Sequence, residues 1–177
     1  ADGPAYDTIV AAGPHAARPH ARPSGRRVGR GETLVIDVGA VVDGYRSDMT
    51  RTLVVGGPRG RIAELIEAVE AARAAGVAAV RAGVEAGEVD AACRGVLAAA
   101  GLERYFVHGT GHGVGLEIHE LPRVRRGSTA ILRPGHVVTV EPGVYVEGLG
   151  GVRIEDLVLV TDRGCRILTH HPRHATI

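Results

Sequence analysis

The sequence predicts an α+β fold, an antiparallel sheet with helices packed on one side. Three observations carry this. β-Branched runs joined by an Asp-Gly turn come first, two helical periodicities follow, and short strand-like runs then return to the end of the chain. At 177 residues the chain is long enough for a real core and is read as a single domain over 1–177.

Residues 6–11 (Tyr-Asp-Thr-Ile-Val-Ala) read as a short strand, and residues 13–31, rich in Gly, Pro, Arg and His, as a loop. Leu34 to Val41 and Tyr45 to Val55 form a hairpin about Asp43-Gly44. Helical spacing over 60–82 groups Ile62, Leu65, Ile66, Val69, Val77 and Val80, with Glu64, Glu67, Glu70 and Arg73 largely off that side. A second helix over 88–100 repeats the pattern, with Gly101 where a C-cap belongs. Neither helix is given a catalytic role. Strands are expected again at 107–110, 136–141, 143–147, 151–161 and 165–168.

The hairpin has a checkable geometry. A two-residue turn pairs Val42 with Tyr45, and therefore Gly39 with Asp48. Side chains alternate, so Asp37, Gly39 and Asp48 share a face. Asp37 and Asp48 become diagonal neighbours, roughly 7–8 Å apart at the backbone. A slip of one residue would put the two carboxylates on opposite faces.

Six residues then draw attention: Asp37, Asp48, His112, His119, Glu141 and Glu155. Four carboxylates and an imidazole in apolar or glycine-rich stretches are costly to bury unless cations sit among them. Asp43 is a turn aspartate, but Asp37 inside Val35-Ile-Asp-Val38 favours a metal over a cap. His112 is the best imidazole ligand. His108 and His119 suit contacts to ligands or substrate, against a reading as ordinary loop histidines. Glu155 taken alone could equally pair with Arg153. Glycines at 109, 111, 113 and 115 do not make a dinucleotide loop, and His119-Glu120 with Arg123 is not a zinc-peptidase helix motif. An oxygen-rich donor set suits manganese, iron, cobalt or magnesium better than a thiolate-dominated zinc site does.

Composition narrows the partners. A net charge of +1 makes no case for nucleic acid or an anionic membrane. All 21 basic residues are Arg, which reads as coding bias. Cys93 and Cys165 lack metal-ligand spacing, so a reduced, cytoplasmic protein is expected. The chain opens on Ala1 rather than Met, and a fragment of a longer protein is the expectation.

At Ser47-Asp-Met-Thr-Arg-Thr52, His108 to Pro122, Glu141-Pro-Gly-Val-Tyr145 and Gly151-Val-Arg-Ile-Glu-Asp156, the chain resembles the pita-bread metallopeptidases. That superfamily holds methionine aminopeptidase, Xaa-Pro aminopeptidase, prolidase and creatinase; the motifs resemble the Xaa-Pro branch. The resemblance implies a pita-bread fold, incomplete at its N-terminus, since relatives carry further helices in front. It implies two divalent ions on Asp37, Asp48, His112, Glu141 and Glu155, manganese first, with cobalt, iron or zinc as alternatives. Catalytic roles fall to His108, His119 and Glu141, and substrate contacts to His20, His108, His119 and Arg153. The implied reaction removes the N-terminal residue from a peptide or dipeptide with proline second. Hydrolysis of another amide, or a silent fragment used as a binding module, is the alternative. A homodimer is left open.

Overall fold

The computed structural model describes the backbone of all 177 residues and every side chain except those of residues 174 and 175. The strands before the helices are β1 (Gly3–Pro4), β2 (Ile9–Ala12), β3 (Thr33–Val38), β4 (Ala40–Val42), β5 (Tyr45–Arg46) and β6 (Met49–Val54). Helices α1 (Gly60–Ala79) and α2 (Ala86–Ala99) follow. After them come β7 (Gly111–Gly113), β8 (Glu120–Val124), β9 (Val137–Val140) and β10 (Gly143–Val146). The chain ends with β11 (Gly150–Arg153), β12 (Asp156–Thr161), β13 (Gly164–Ile167) and β14 (His174–Thr176).

Two larger sheets organise these strands, one in the order β13-β12-β9-β7-β8 and one in the order β14-β6-β3-β2. Their ladders are antiparallel except that β14 runs parallel to β6. The core lies between the helices and the sheets: Leu65, Val69 and Ala72 of α1 and Val89, Cys93 and Leu97 of α2 bury against Val138, Val140, Val152 and Val158. Gly101 closes α2 at φ 69°, as a C-cap glycine should.

The hairpin register is the expected one. Val42 faces Tyr45 and Val41 faces Arg46 at the tip, while Asp37 faces Thr50 and Val38 faces Met49 in the body. Gly39 is required because a Cβ there would lie 2.1 Å from the Ser47 carbonyl oxygen.

Four details differ from the sequence reading. Residues 107–110 form no strand; the ladder begins at Gly111, because the backbone before it is held by side chains of α2. The run 151–161 breaks at Ile154-Glu155, where the chain leaves the β10-β11 hairpin for the five-stranded sheet. Strand β8 is new, at the edge of its sheet, where Pro122 is tolerated. Arg73 is buried rather than off the packed side, because Asp156 and Glu70 take its guanidinium.

Gly111 sets the approach of β7 to β9: a Cβ there would meet the Thr139 carbonyl at 2.0 Å and Thr139 Oγ1 at 2.6 Å. Gly111→Ala is therefore expected to push the two strands apart, at a cost of about 1–3 kcal/mol. Thermal melts of the metal-free protein check this, and an unchanged Tm would show that the contact relaxes freely.

Candidate active site

Five donors converge from four parts of the fold. The hairpin supplies Asp37 on β3 and Asp48 just before β6. β7 supplies His112, the end of β9 supplies Glu141, and the break between β11 and β12 supplies Glu155. Carboxylate oxygens of Asp37, Asp48 and Glu155 all lie within 4.8 Å of one another. His112 Nε2 lies 3.4 Å from Glu141 Oε1 and 3.7 Å from Asp48 Oδ2.

Local hydrogen bonds aim these groups. His112 Nδ1 lies 3.0 Å from the Gly113 carbonyl, which can only accept, so Nδ1 carries a proton and Nε2 is left to face the carboxylates. Thr139 Oγ1 accepts from the His112 backbone N–H (3.1 Å) and donates to Glu141 Oε1 (3.2 Å). Thr50 Oγ1 donates to Glu155 Oε2 at 2.6 Å, and the Glu155 N–H donates to the Thr50 carbonyl at 3.1 Å. A second strand-to-strand tie runs from Arg153 N–H to Thr52 Oγ1.

The electrostatics are those of a cation cradle. Glu155 is 1% exposed, and its Oε1 has no hydrogen-bond partner among the described residues. Burial, together with the charges of Asp48, Glu141 and Asp37, holds Glu155 well above the usual carboxylate range. Burial also pushes Asp48 up to about 7, with Glu141 and Asp37 adding to it, against the hydrogen bond from Tyr6. Burial opposes charge on His112, but the hydrogen bond and charge of Glu141 outweigh it and raise its pKa. An orphaned buried oxygen among repelling carboxylates, beside an imidazole nitrogen, fits divalent cations.

The remaining expected residues share one cavity of about 590 Å³ with the five donors: His20, His108, His119 and Arg153 all line it. His20 and His119 are exposed, and the His119 ring packs edge-on against His112 with centroids 4.3 Å apart. Burial, then the charges of His112 and Arg123, lower the His119 pKa. Arg153 does not pair with Glu155. It donates to Asp37 Oδ2 (2.6 Å), to the Tyr145 hydroxyl (2.9 Å) and to the Pro19 carbonyl next to His20 (3.2 Å). His108 is held at both ring nitrogens, Nδ1 by the Gly109 carbonyl at 2.7 Å and Nε2 by the Tyr145 hydroxyl at 2.8 Å.

Several site residues escaped the sequence reading. The Tyr6 hydroxyl lies 2.5 Å from both Asp37 Oδ1 and Asp48 Oδ1, so its single proton is shared between two accepting carboxylates. Burial and those two charges raise its pKa far above the ordinary value. Tyr145 stood inside a quoted motif without a role. Arg123 and Arg125 also line the cavity and have no ion-pair partner among the described residues. Only the alternation of β8 could have flagged those two.

The chain has known relatives. Residues 1–162 match the model of metallopeptidase family M24. The chain belongs to that family. An Xaa-Pro dipeptidase from Pyrococcus furiosus is 46% identical over 173 residues, covering 98% of this chain and 50% of that protein. The solved prolidase from Pyrococcus furiosus superposes with a TM-score of 0.94 at 46% identity, over 96% of this chain and 50% of that one. An X-Pro aminopeptidase from Thermotoga maritima gives 0.97 at 39% identity, over 100% of this chain and 51% of that one. The pita-bread architecture is thus the M24 fold expected from the motifs. The chain spans about half the length of the curated relatives it matches.

Proposed function

We propose that this domain, residues 1–177 acting as one catalytic unit, is a dinuclear metal hydrolase. It removes the N-terminal residue from short peptides with proline in second position. The observation that carries the reading is the convergence of Asp37, Asp48, His112, Glu141 and Glu155 on one focus, with Glu155 Oε1 left without a protein partner. Bound divalent ions would supply an activated water at neutral pH and an electrophile for the scissile carbonyl. Manganese is the proposed metal, on the oxygen-rich donor set.

The protein's own groups do the rest. Burial opposes charge on Glu141, but the hydrogen bond from His112, with the charges of His108 and Arg153 among others, outweighs it and lowers its pKa. It is therefore available as a proton acceptor beside the ligands. His119, lowered in pKa and exposed on the cavity, faces the developing oxyanion as a neutral donor. His108 works through Tyr145 and Arg153 and orients the far side of the site. Arg123 and Arg125 meet the free carboxylate of a short substrate, which favours dipeptides over long chains. A cavity of about 590 Å³ suits such a ligand.

The cellular setting proposed is the cytoplasm, which suits two free cysteines. No helix is long and apolar enough to cross a membrane. A net charge of +1 supports peptide rather than nucleic acid as partner. A second reading keeps the site and changes the substrate to another amide, because no residue named here reads the proline ring itself. A panel of Xaa-Pro and non-proline dipeptides, assayed on the manganese-loaded protein, separates these readings. Absence of turnover on both, with metal bound, would leave only the binding-module reading.

Metal loading is also expected to displace protons near neutral pH, because Asp48, raised to about 7 without metal, is part protonated there and Glu155 is raised in the same direction. Calorimetric titration in two buffers of different ionisation enthalpy measures this. Equal heats in both would rule out the protonated cradle.

A further inference from the structure

His108 sits on a stretch of backbone that belongs to no sheet, yet both nitrogens of its ring are committed. Residues 106–110 lie between a 3₁₀ turn (Glu103–Tyr105) and β7. Their polar backbone groups still need partners. Three of those groups, the Phe106 and His108 carbonyls and the Thr110 N–H, are met by two side chains one helical turn apart on α2, Asp90 and Arg94. Asp90 is 1% exposed. Its Oδ1 accepts from the Thr110 N–H at 3.1 Å and from Thr110 Oγ1 at 2.9 Å. Its Oδ2 accepts from Arg94 Nε at 2.7 Å. Arg94 then donates from Nη1 to the Phe106 carbonyl at 3.1 Å and from Nη2 to the His108 carbonyl at 2.6 Å. Its guanidinium carbon lies 4.3 Å from the centroid of the Phe106 ring, and that ring in turn packs edge-on against His108 at 5.1 Å.

One ion pair therefore grips the segment at both ends and at its middle. We propose that Asp90 and Arg94 are positioning residues for His108, which fix its ring between the Gly109 carbonyl and the Tyr145 hydroxyl. The role assigned to the ring rests on the peptidase reading above; the grip itself does not. A capping or helix-stabilising pair would need only the Asp90–Arg94 bond. It would not need five further contacts converging on residues 106, 108 and 110. Rigid support from a helix is what a reacting geometry demands, since loops alone hold side chains too loosely.

The geometry also sets a signature. The Gly109 carbonyl can only accept, so His108 carries its proton on Nδ1 and accepts from Tyr145 at Nε2. Tyr145 in turn accepts from Arg153 Nη1. Loss of the clamp frees the backbone carbonyls, lets the ring rotate and mixes its two tautomers.

The test uses the zinc-loaded protein, diamagnetic for NMR, and the manganese-loaded protein for kinetics. Ring-nitrogen spectra assign His108 by the signal missing in His108→Ala, and the parent is expected to show the Nδ1-protonated form. Arg94→Lys keeps a cation beside Asp90 but cannot reach two carbonyls at once, so it is expected to fold and to lose that signature. Asp90→Asn, which loosens Arg94, is expected to do the same. On an Xaa-Pro dipeptide, kcat of Arg94→Lys should fall about 10–100-fold with KM little changed and metal content intact, the range seen when an orienting partner is lost. A lowered Tm with the tautomer and kcat both unchanged would make the pair merely structural and overturn the proposal. Loss of bound zinc would move its action to Glu141, whose N–H donates to the Thr110 carbonyl, and would overturn it equally. A parent that holds the tautomer but hydrolyses nothing would defeat the peptidase reading while leaving the clamp standing.

Discussion

Asp48→Ala is expected to leave a folded protein that has lost both its cation stoichiometry and its turnover. Asp48 is the donor that links the two halves of the site. Its Oδ2 faces His112 Nε2 at 3.7 Å, and it shares the carboxylate cluster with Asp37 and Glu155. The loss of activity should exceed the ~10–100-fold typical of residues that only orient ligands. Metal analysis after gel filtration, with dipeptide hydrolysis on the same sample, decides the matter. Residual turnover near the parent's would remove Asp48 from the machinery.

The same residue has an opposite effect on the metal-free protein. Asp48 has an ordinary value of 3.8 and stands at about 7 in the folded, metal-free state. Between those values the native state holds a proton that the unfolded chain has released. Its contribution to stability is therefore complete below pH 4 and is lost as pH rises through about 7. Glu155, also raised, acts in the same direction. Melts of the chelator-stripped protein across this window should show a falling Tm, and Asp48→Asn should flatten the slope. Carboxylates with no common focus would give no such slope.

How much of this was legible beforehand follows from where each contact lies along the chain. The Asp37–Asp48 pair could be read because a two-residue turn fixes the parity of every position in the hairpin. Gly39 could be read for the same reason. His112 could be picked out because its neighbours at 111 and 113 are glycines that permit close approach to Thr139 and Leu121. Tyr6 could not, since its hydroxyl meets residues 31 and 42 positions away, and nothing local marks it. Strand 107–110 was misplaced because pattern reading assumes that backbone bonds to backbone, whereas here α2 side chains take those bonds. The same gap hid the part α2 plays. Helical periodicity assigns a polar residue to solvent by default, yet Asp90 is buried beside Arg94 one turn along its own helix, and Arg73 is buried because Asp156 meets it across the core.

The largest expected loss of stability comes from a residue that binds no metal, Asp156. It is fully buried directly after the ligand Glu155. Oδ1 accepts from Arg51 Nη2 at 3.1 Å and Thr169 Oγ1 at 2.6 Å, and Oδ2 accepts from Arg73 Nη1 at 2.8 Å. Arg51 and Arg73 are themselves 3% and 6% exposed at the side chain. Asp156→Ala leaves the buried Arg51 without its carboxylate and Arg73 with Glu70 alone, and ought to cost about 3–5 kcal/mol. In a chain of this size that is about 10 °C or more in Tm. Arg61→Ala serves as the contrast, because the Arg61–Glu64 pair is exposed on α1, and such pairs are worth ~1 kcal/mol or less. Metal affinity should fall along with stability in Asp156→Ala. Arg51 also donates to the Glu155 and Thr50 carbonyls, so loosening it releases the strand segment that presents Glu155. If Asp156→Ala melted within about 0.5 kcal/mol of Arg61→Ala, a threshold typical of surface substitutions, burial would have been misjudged and the two arginines would be finding water instead.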